Sequence, residues 1–256
     1  MLQLFEARVA RGDTVSAFGI SMEAPRAPIP PATSETSGEA TTTLIAEALR
    51  LRPGTDVLIA LGELSDIGDE SAVVGTGDAL ALAIVQATLL HINNVSVTSA
   101  VVRKATHPLT HLLDQYPTVI SIGGPQANPL SATIIGVNHL TFQFRPQGIY
   151  DTLQQQLNIV EYSDDRMEGT EWAILVIAGN PRNPQGKAVV LAGYSGYGTN
   201  AAAVIFSKIE KYHELQRSSP MEALIRVGIA RGKVQDPEIV AVRAIPTIEQ
   251  IPAGIR

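Results

Sequence analysis

The sequence predicts an α/β protein built on a mainly parallel, three-layer sheet, with β-hairpin extensions at both termini. Two stretches carry this prediction: TVISIGGPQANPLSATII (118–135) and KAVVLAGYSGYGTNAAAVIFSKI (187–209). In each, β-branched residues lead through a glycine-rich turn into an apolar helix. Such strand–turn–helix units build parallel sheets and present free backbone N–H groups at the carboxyl edge of the sheet.

The pattern divides the chain into four regions. They are an N-terminal β-hairpin (1–22), a Pro/Ser/Thr-rich linker (23–40), a Rossmann-like α/β domain (41–216) and a C-terminal β extension (217–256). The linker is assigned because residues 23–38 hold four prolines among several serines and threonines, a composition typical of extended segments. In the C-terminal extension, residues 223–246 read as two strands around a polar turn.

Apolar strands alternate with apolar-faced helices through the central region. The predicted strands are 56–61, 95–102, 118–122, 171–179 and 187–193, and the predicted helices are 41–51, 79–91, 108–115, 129–135 and 200–216. Asp78, Asn128 and Thr199 are predicted to cap three of these helices. Residues 139–144 alternate as an edge strand does, 149–170 carry no clear pattern, and NPRNPQG (180–186) suits a hairpin turn.

Composition narrows the function classes. The 256 residues are 45% hydrophobic and 17% charged, with a net charge of −6. No basic stripe is present, which argues against a nucleic-acid partner. The chain has no cysteine, which excludes disulfides and thiolate metal sites. No apolar run reaches membrane-spanning length. Residues 1–13 include the charged side chains Glu6, Arg8 and Arg11, unlike a signal peptide. We therefore expect a soluble cytoplasmic protein, or one on the extracellular surface if a leader was removed.

The two glycine-rich turns are the candidate ligand-binding site. Its residues are Gly123, Gly124, Asn128, Ser195, Gly196, Gly198 and Thr199. A small anionic or strongly polar ligand, such as a phosphate or carboxylate group, would lie between the turns and bind mainly to backbone amides. The favoured alternative is structural: the glycines permit tight turns, and the polar side chains serve as helix caps.

Two further sets of side chains suggest a metal, each with a simpler alternative. Asp66, Asp69 and Glu70, in the acidic loop 62–77, are oxygen donors for Mg²⁺ or Ca²⁺, but a solvated acidic loop is the favoured explanation. His107 and His111 lie four residues apart without a third ligand, which makes a poor zinc signature. Ser195 follows a strand in a glycine-flanked turn, but YSGYG is not a nucleophile-elbow motif. No catalytic residue and no cofactor can be assigned.

Three stretches resemble archaeal surface-layer proteins and bacterial cell-wall-binding repeat-2 modules. They are GDALALAIVQATL (77–89), VISIGGPQANPLSATI (119–134) and WAILVIAGNPRNPQGKAVVLAGYSGYGTNAAAV (172–204). The resemblance lies in an Asp-Ala-Leu helix, strands ending in Gly-Gly or Ala-Gly, and small-residue helix starts. It implies a non-catalytic Rossmann-like domain used in self-assembly or surface attachment. A fainter similarity, to ligand-sensing Rossmann domains of prokaryotic defence and regulatory proteins, implies a nucleotide ligand.

These observations lead to a functional expectation with alternatives. We expect a non-catalytic domain for self-assembly or attachment to a surface or partner. The alternatives are a sensor of a nucleotide or another small anion, and a metal-dependent hydrolase acting on such a ligand. We expect a homo-oligomer, because the apolar strands at 14–20 and 225–230 look exposed and the arm at 23–38 suits exchange between subunits.

Overall fold

The structure is a computed structural model. It describes residues 3–5, 44–63, 74–92, 94–102, 109–163, 168–212, 215 and 220–245. Most of the predicted N-terminal hairpin, the linker 23–40 and three acidic residues of the loop 62–77 (Asp66, Asp69 and Glu70) lie outside these ranges.

The described strands, in chain order, are β1 (Gln3–Phe5), β2 (Asp56–Gly62), β3 (Ser96–Val102), β4 (Thr118–Ile122), β5 (Phe142–Arg145), β6 (Gly148–Asp151), β7 (Gln156–Ile159), β8 (Glu161–Tyr162), β9 (Gly169–Gly179), β10 (Lys187–Gly193), β11 (Met221–Ala230), β12 (Lys233–Val234) and β13 (Glu238–Ala244). The described helices are α1 (44–48), α2 (Thr76–Leu90), α3 (Thr110–Gln115), α4 (Pro129–Val137) and α5 (Gly196–Ser207), which a short 3₁₀ turn, Ile209–Lys211, follows. Among the described residues, no helix is both long and apolar enough to cross a membrane.

Ten of the strands form one sheet in the order β1-β3-β2-β4-β10-β9-β11-β12, with β13 paired to β11 and β8 to β9. The central strands β3, β2, β4 and β10 run parallel. The other pairings in this sheet are antiparallel. The predicted parallel arrangement of strands 57–61, 118–122 and 187–192 is confirmed.

The prediction of a mainly parallel Rossmann-like sheet is wrong. The sheet is mixed, because β9 runs antiparallel between β10 and β11. The connection 180–186 is a hairpin, and it is too short for the crossover that a parallel neighbour of β10 would need. The strand β11 then pairs with β9 along Met221–Ile229. The C-terminal residues therefore extend the main sheet with an antiparallel edge.

Residues 225–230, predicted to be an exposed strand, lie inside the sheet. Ile225, Val227 and Ile229 are buried, because β11 has β9 on one side and β12 and β13 on the other. The apolar run is therefore core sequence and not a surface for strand addition.

Both faces of the sheet are covered, as the period-two alternation of its side chains requires. On one face, Val57, Ile59 and Leu61 of β2 pack with the buried sides of α1, α2 and α5. On the other face, Leu58 and Ala60 of the same strand pack with α3, α4 and the small sheet described next.

A second antiparallel sheet, β5-β6-β7, packs on that second face. The edge strand predicted at 139–144 belongs here, at Phe142–Arg145. Residues 149–170, which carried no clear pattern, supply the rest of this sheet and β8. Phe142 and Ile149 are fully buried against the main sheet.

The helix starts differ from two of the three predicted caps. Asn128 caps α4 as expected, with Pro129 at the first helical position. The helix α2 begins at Thr76, so Asp78 lies within its first turn. The helix α5 begins after Ser195, whose hydroxyl accepts a hydrogen bond from the Tyr197 N–H, and it ends at Ser207.

Candidate functional site

The carboxyl ends of the parallel strands β2, β4 and β10 meet at one edge of the sheet. The chain leaves β2 toward β3 on one side and returns to β4 on the other. Such a reversal of strand order opens a crevice where ligands commonly bind in α/β proteins. The two glycine-rich turns, 123–128 after β4 and 193–199 after β10, both lie at this edge.

The amino end of α2 packs against both turns. A side chain at Gly77 would collide with the backbone of Gly196, so the two helices touch backbone to backbone there. Asp78 lies beside Gly123, since a Cβ at Gly123 would be 3.2 Å from Asp78 Oδ2. The first turn of α2 therefore takes up space next to the crevice where a ligand was predicted.

Asn128 is fully buried, and both polar atoms of its side chain make hydrogen bonds within the fold. Its Oδ1 accepts hydrogen bonds from the N–H groups of Leu130 (2.9 Å) and Ser131 (3.3 Å). Its Nδ2 donates to the carbonyl oxygens of Ala60 (3.0 Å) and Ile122 (2.9 Å). One amide thus caps α4 and ties the ends of two neighbouring strands together, which is the structural alternative for this residue.

Thr199 is also buried. Its hydroxyl accepts from the N–H of Gly193 at 3.1 Å and lies 3.3 Å from the carbonyl oxygen of Ser195. The pKa of Asp78 is raised, mainly because burial disfavours its charge. A hydrogen bond from Thr199 lowers this pKa, and the neighbouring carboxylate of Glu171 raises it further.

Glu171, on β9, is fully buried beside the turn of α5. Its Oε1 accepts from Ser195 N at 2.5 Å, and its Oε2 accepts from Ser195 Oγ at 2.6 Å. The Tyr162 hydroxyl donates to Oε2 at 2.6 Å and lies 3.1 Å from Ser195 Oγ. The carboxylate accepts three hydrogen bonds, and the serine oxygen also accepts from Tyr197 N. These hydrogen bonds join β9 to the turn that starts α5 and hold that turn in place.

An open cleft lies next to this cluster, on the outer side of the helix starts. We call it the α2–α5 cleft; its volume is about 1050 Å³. Its walls come from the first turns of α2 and α5, the outer side of α5 and the turn between β11 and β13. The lining residues are Gly75, Thr76, Gly77, Leu80, Ser195, Gly196, Tyr197, Asn200, Val204, Lys208 and residues 232–237.

The charges around the α2–α5 cleft favour an anion. Lys208 and Lys233 line it with a single acidic residue, Asp236. The starts of α2 and α5 both border it, and the first N–H groups of a helix have no partner within the helix. Two helix dipoles add partial positive charge to that of the lysines, and the buried carboxyl groups of Asp78 and Glu171 beside the same helix starts offset part of it.

Only some of the predicted site residues line the α2–α5 cleft. Ser195 and Gly196 line the α2–α5 cleft, whereas Gly123, Gly124, Asn128, Gly198 and Thr199 are not among its lining residues. The glycines of this second group pack against backbone or buried side chains. Ligand binding between the two turns stays a prediction.

The metal hypotheses fall largely outside the described residues. Asp66, Asp69, Glu70 and His107 all lie in undescribed segments, and His111 is exposed on α3. Within the described part of the chain, no three His, Cys, Asp or Glu side chains form a group that could hold a metal ion.

Sequence reasoning missed the residues that define this edge of the fold. Glu171 and Tyr162 contact Ser195 from strands that lie 24 and 33 residues away in sequence. No short sequence motif therefore predicts these contacts. Lys208 enters the cleft from the end of α5, and Lys233 from the first position of β12. The available signal was Glu171 itself, an acidic residue that directly precedes the apolar run WAILVIAG.

Comparison with known proteins identifies no relative: no family model, no curated protein and no solved structure matches the chain. Since a fold alone does not determine an activity, function has to be inferred from the site.

Proposed function

We propose that this chain is a non-catalytic binding domain that holds a small anionic ligand, such as a phosphate or carboxylate compound, in the α2–α5 cleft. The supporting observation is that two helix amino ends and two lysines border the same open cleft. Backbone N–H groups at helix starts and lysine ammonium groups are common ligands of phosphate in proteins.

The polar cluster next to the cleft supports a binding role over a catalytic one. Ser195 is the natural nucleophile of the turn, but its hydroxyl is committed to Glu171 and to the start of α5. Glu171 has no exposed surface from which to act on a ligand. We therefore assign these residues to shaping the wall of the cleft.

Calorimetric titration of the full chain with inorganic phosphate and with a nucleoside triphosphate tests the proposal. We expect binding that weakens as ionic strength rises and that falls about tenfold in Lys233→Ala or Lys208→Ala, as loss of one charge-assisted contact implies. Lys211→Ala is the matched control, because Lys211 is exposed nearby but does not line the cleft. Absence of binding, or equal loss in all three variants, contradicts the proposal.

Self-assembly is the second candidate function. Among the described residues, β13 is hydrogen-bonded to a neighbour on one side only, and its Val240 is 47% exposed. An edge strand of this kind can accept a strand from another chain. The likeness of residues 77–89, 119–134 and 172–204 to surface-layer proteins supports the same function. Light scattering over a range of concentrations tests it, and a monomer at every concentration contradicts it.

A further inference from the structure

The outer face of α2 carries no charge, which is unusual for a helix on the surface of a protein. The only charged residue of the helix is Asp78, and it is buried. A surface helix normally presents charged and polar side chains on its outer face, whereas a helix that is apolar all round is buried. The residues exposed on α2 are Thr76, Ala79, Leu80, Ala83, Ala87 and Leu90.

Four of these residues form a regular stripe, which we call the α2 seam: Leu80, Ala83, Ala87 and Leu90. Leu80 is 51% exposed and Leu90 is 55% exposed. Their successive spacings of three, four and three residues match the alternation of core positions in a coiled coil. The seam therefore has the pattern of a surface that packs against another helix.

We propose that the α2 seam binds the α2 seam of a second copy of this chain, in antiparallel orientation; this rests on self-assembly, the second proposed function. The seam reads the same in both directions about its midpoint. A two-fold axis there sets Leu80 against Leu90 of the partner subunit, and Ala83 against Ala87 of the partner subunit. Such an interface is self-complementary, as two-fold symmetry requires.

Electrostatics also favour a second copy as the occupant. Antiparallel packing sets the amino end of each α2 beside the carboxyl end of the other, so the two helix dipoles attract. A partner surface rich in charged side chains would lose their hydration against this uncharged face without gaining ion pairs. The alanines at the centre permit a close approach of the two helices.

The size of the seam sets the expected strength of the contact. A helix of 15 residues is about 22 Å long and about 10 Å wide. Two such strips bury on the order of 450 Å² together, below the 1,000 Å² or more of stable specific interfaces. The dimer is therefore weak and forms at high local concentration, as in an assembled layer or array.

Sedimentation velocity up to millimolar concentration tests the seam. We expect concentration-dependent dimerisation that Leu90→Lys reduces at least tenfold; Leu90 is the better probe because Leu80 also lines the α2–α5 cleft. Leu153→Lys is the matched control, since Leu153 is 68% exposed in a distant turn. Association that Leu90→Lys leaves intact but Val240→Lys abolishes overturns the seam and keeps self-assembly. A monomer throughout overturns both.

Cross-linking tests the orientation without depending on affinity. The chain has no cysteine, so Ala83→Cys and Ala87→Cys proteins can be mixed and oxidised without background. We expect disulfide-linked heterodimers between the two variants, and none between Leu153→Cys and either of them. Equal cross-linking of every pair indicates random collision and overturns the antiparallel arrangement.

Discussion

Glu171 binds Ser195 through both carboxylate oxygens, which accept hydrogen bonds from the Ser195 N–H at 2.5 Å and from its hydroxyl at 2.6 Å. The contact joins β9 to the start of α5 and is fully buried on the Glu171 side. It fixes the turn that forms one wall of the α2–α5 cleft. The same serine caps α5, so one side chain links the strand, the turn and the helix.

Replacement of Glu171 by Gln should destabilise the protein. The amide is close in size, but its NH₂ group would face donors where the carboxylate accepts, leaving at least one buried group unpaired at a cost of about 1–3 kcal/mol. Urea unfolding measures the loss. Ser195→Ala should cost about 1 kcal/mol through the lost cap. Ser207→Ala, at the far end of α5, is the control. An equal decrease in the free energy of unfolding there would argue against a special role for the contact between Glu171 and Ser195.

Asp78 should make stability depend on pH in the direction opposite to that of a salt-bridged carboxylate. Its pKa is raised in the fold, mainly by burial. The stability it contributes is therefore fully present below the unfolded value of 3.8 and is lost as pH rises through the folded pKa. Asp78→Asn should raise the free energy of unfolding at pH 7, and this difference should shrink as pH falls toward 4.

Urea unfolding at a series of pH values checks this, with the exposed Asp56→Asn as control. A lower stability of Asp78→Asn at pH 7 would show that the ionised carboxylate is needed as a hydrogen-bond acceptor for Thr199.

Much of the local structure could be predicted from the sequence, because local physics determines it. Asn128 followed by Pro129 marks a helix start wherever it lies in the fold. The apolar, β-branched runs at 118–122 and 187–193 are likewise predictable, because a continuous apolar run is typical of a strand buried on both faces. Strand direction is different: WAILVIAG is equally apolar in a parallel or an antiparallel strand. Only the short connection 180–186 distinguishes the two, and it predicted the hairpin without revealing that β11 would extend the sheet beyond it.

The candidate site was less predictable, since its contacts join distant parts of the chain. Lys233 begins β12, directly after a hairpin turn that could close anywhere along the sheet edge. It reaches the cleft because β11 pairs with β9 in one register. Register depends on the packing of the whole sheet and not on the sequence around Lys233.

Arg243 should be essential for attaching the small sheet β5-β6-β7. It donates to both oxygens of Asp151, at 2.8 and 2.6 Å, and to the hydroxyl of Thr141 at 2.7 Å. The Thr141 hydroxyl in turn donates to the buried Glu222 at 2.6 Å. Arg243→Met would leave a buried carboxylate without its cation, at a cost of about 3–5 kcal/mol. Chemical denaturation measures this cost.

Arg226→Met is the matched control, because its ion pair with Glu238 is about half exposed on both sides and should contribute under about 1 kcal/mol. Equal effects of the two substitutions would contradict the special role of Arg243.

Acid should weaken the same attachment. The pKa of Asp151 is lowered, first by its hydrogen bond from Arg243. The stability that this pair contributes is therefore present above 3.8, the ordinary value for Asp, and is lost as pH falls through the lower folded pKa. We expect stability to fall below about pH 4, and less steeply in Arg243→Met than in the native chain. Unfolding followed by circular dichroism checks the two slopes, and parallel slopes would exclude Asp151 as the source.

Two glycines should respond oppositely to alanine. A Cβ at Gly198 would lie 2.5 Å from Glu171 Oε1 and 2.9 Å from the carbonyl oxygen of Trp172. Movement of Oε1 would disturb the contact between Glu171 and Ser195, and movement of the Trp172 oxygen would disturb its hydrogen bond from the Tyr194 N–H. Gly198→Ala should therefore destabilise by about 1 kcal/mol or more, the cost of overpacking a core. A Cβ at Gly136, in the helix α4, meets nothing within 4 Å. There alanine should stabilise by about 0.5–1 kcal/mol, because it restricts the unfolded chain and favours the helix. Thermal unfolding of the two variants gives the comparison. If Gly198→Ala left the thermal stability unchanged, the wall of the cleft would be able to rearrange around the added methyl group. The wall would then be less rigid than its buried hydrogen bonds imply.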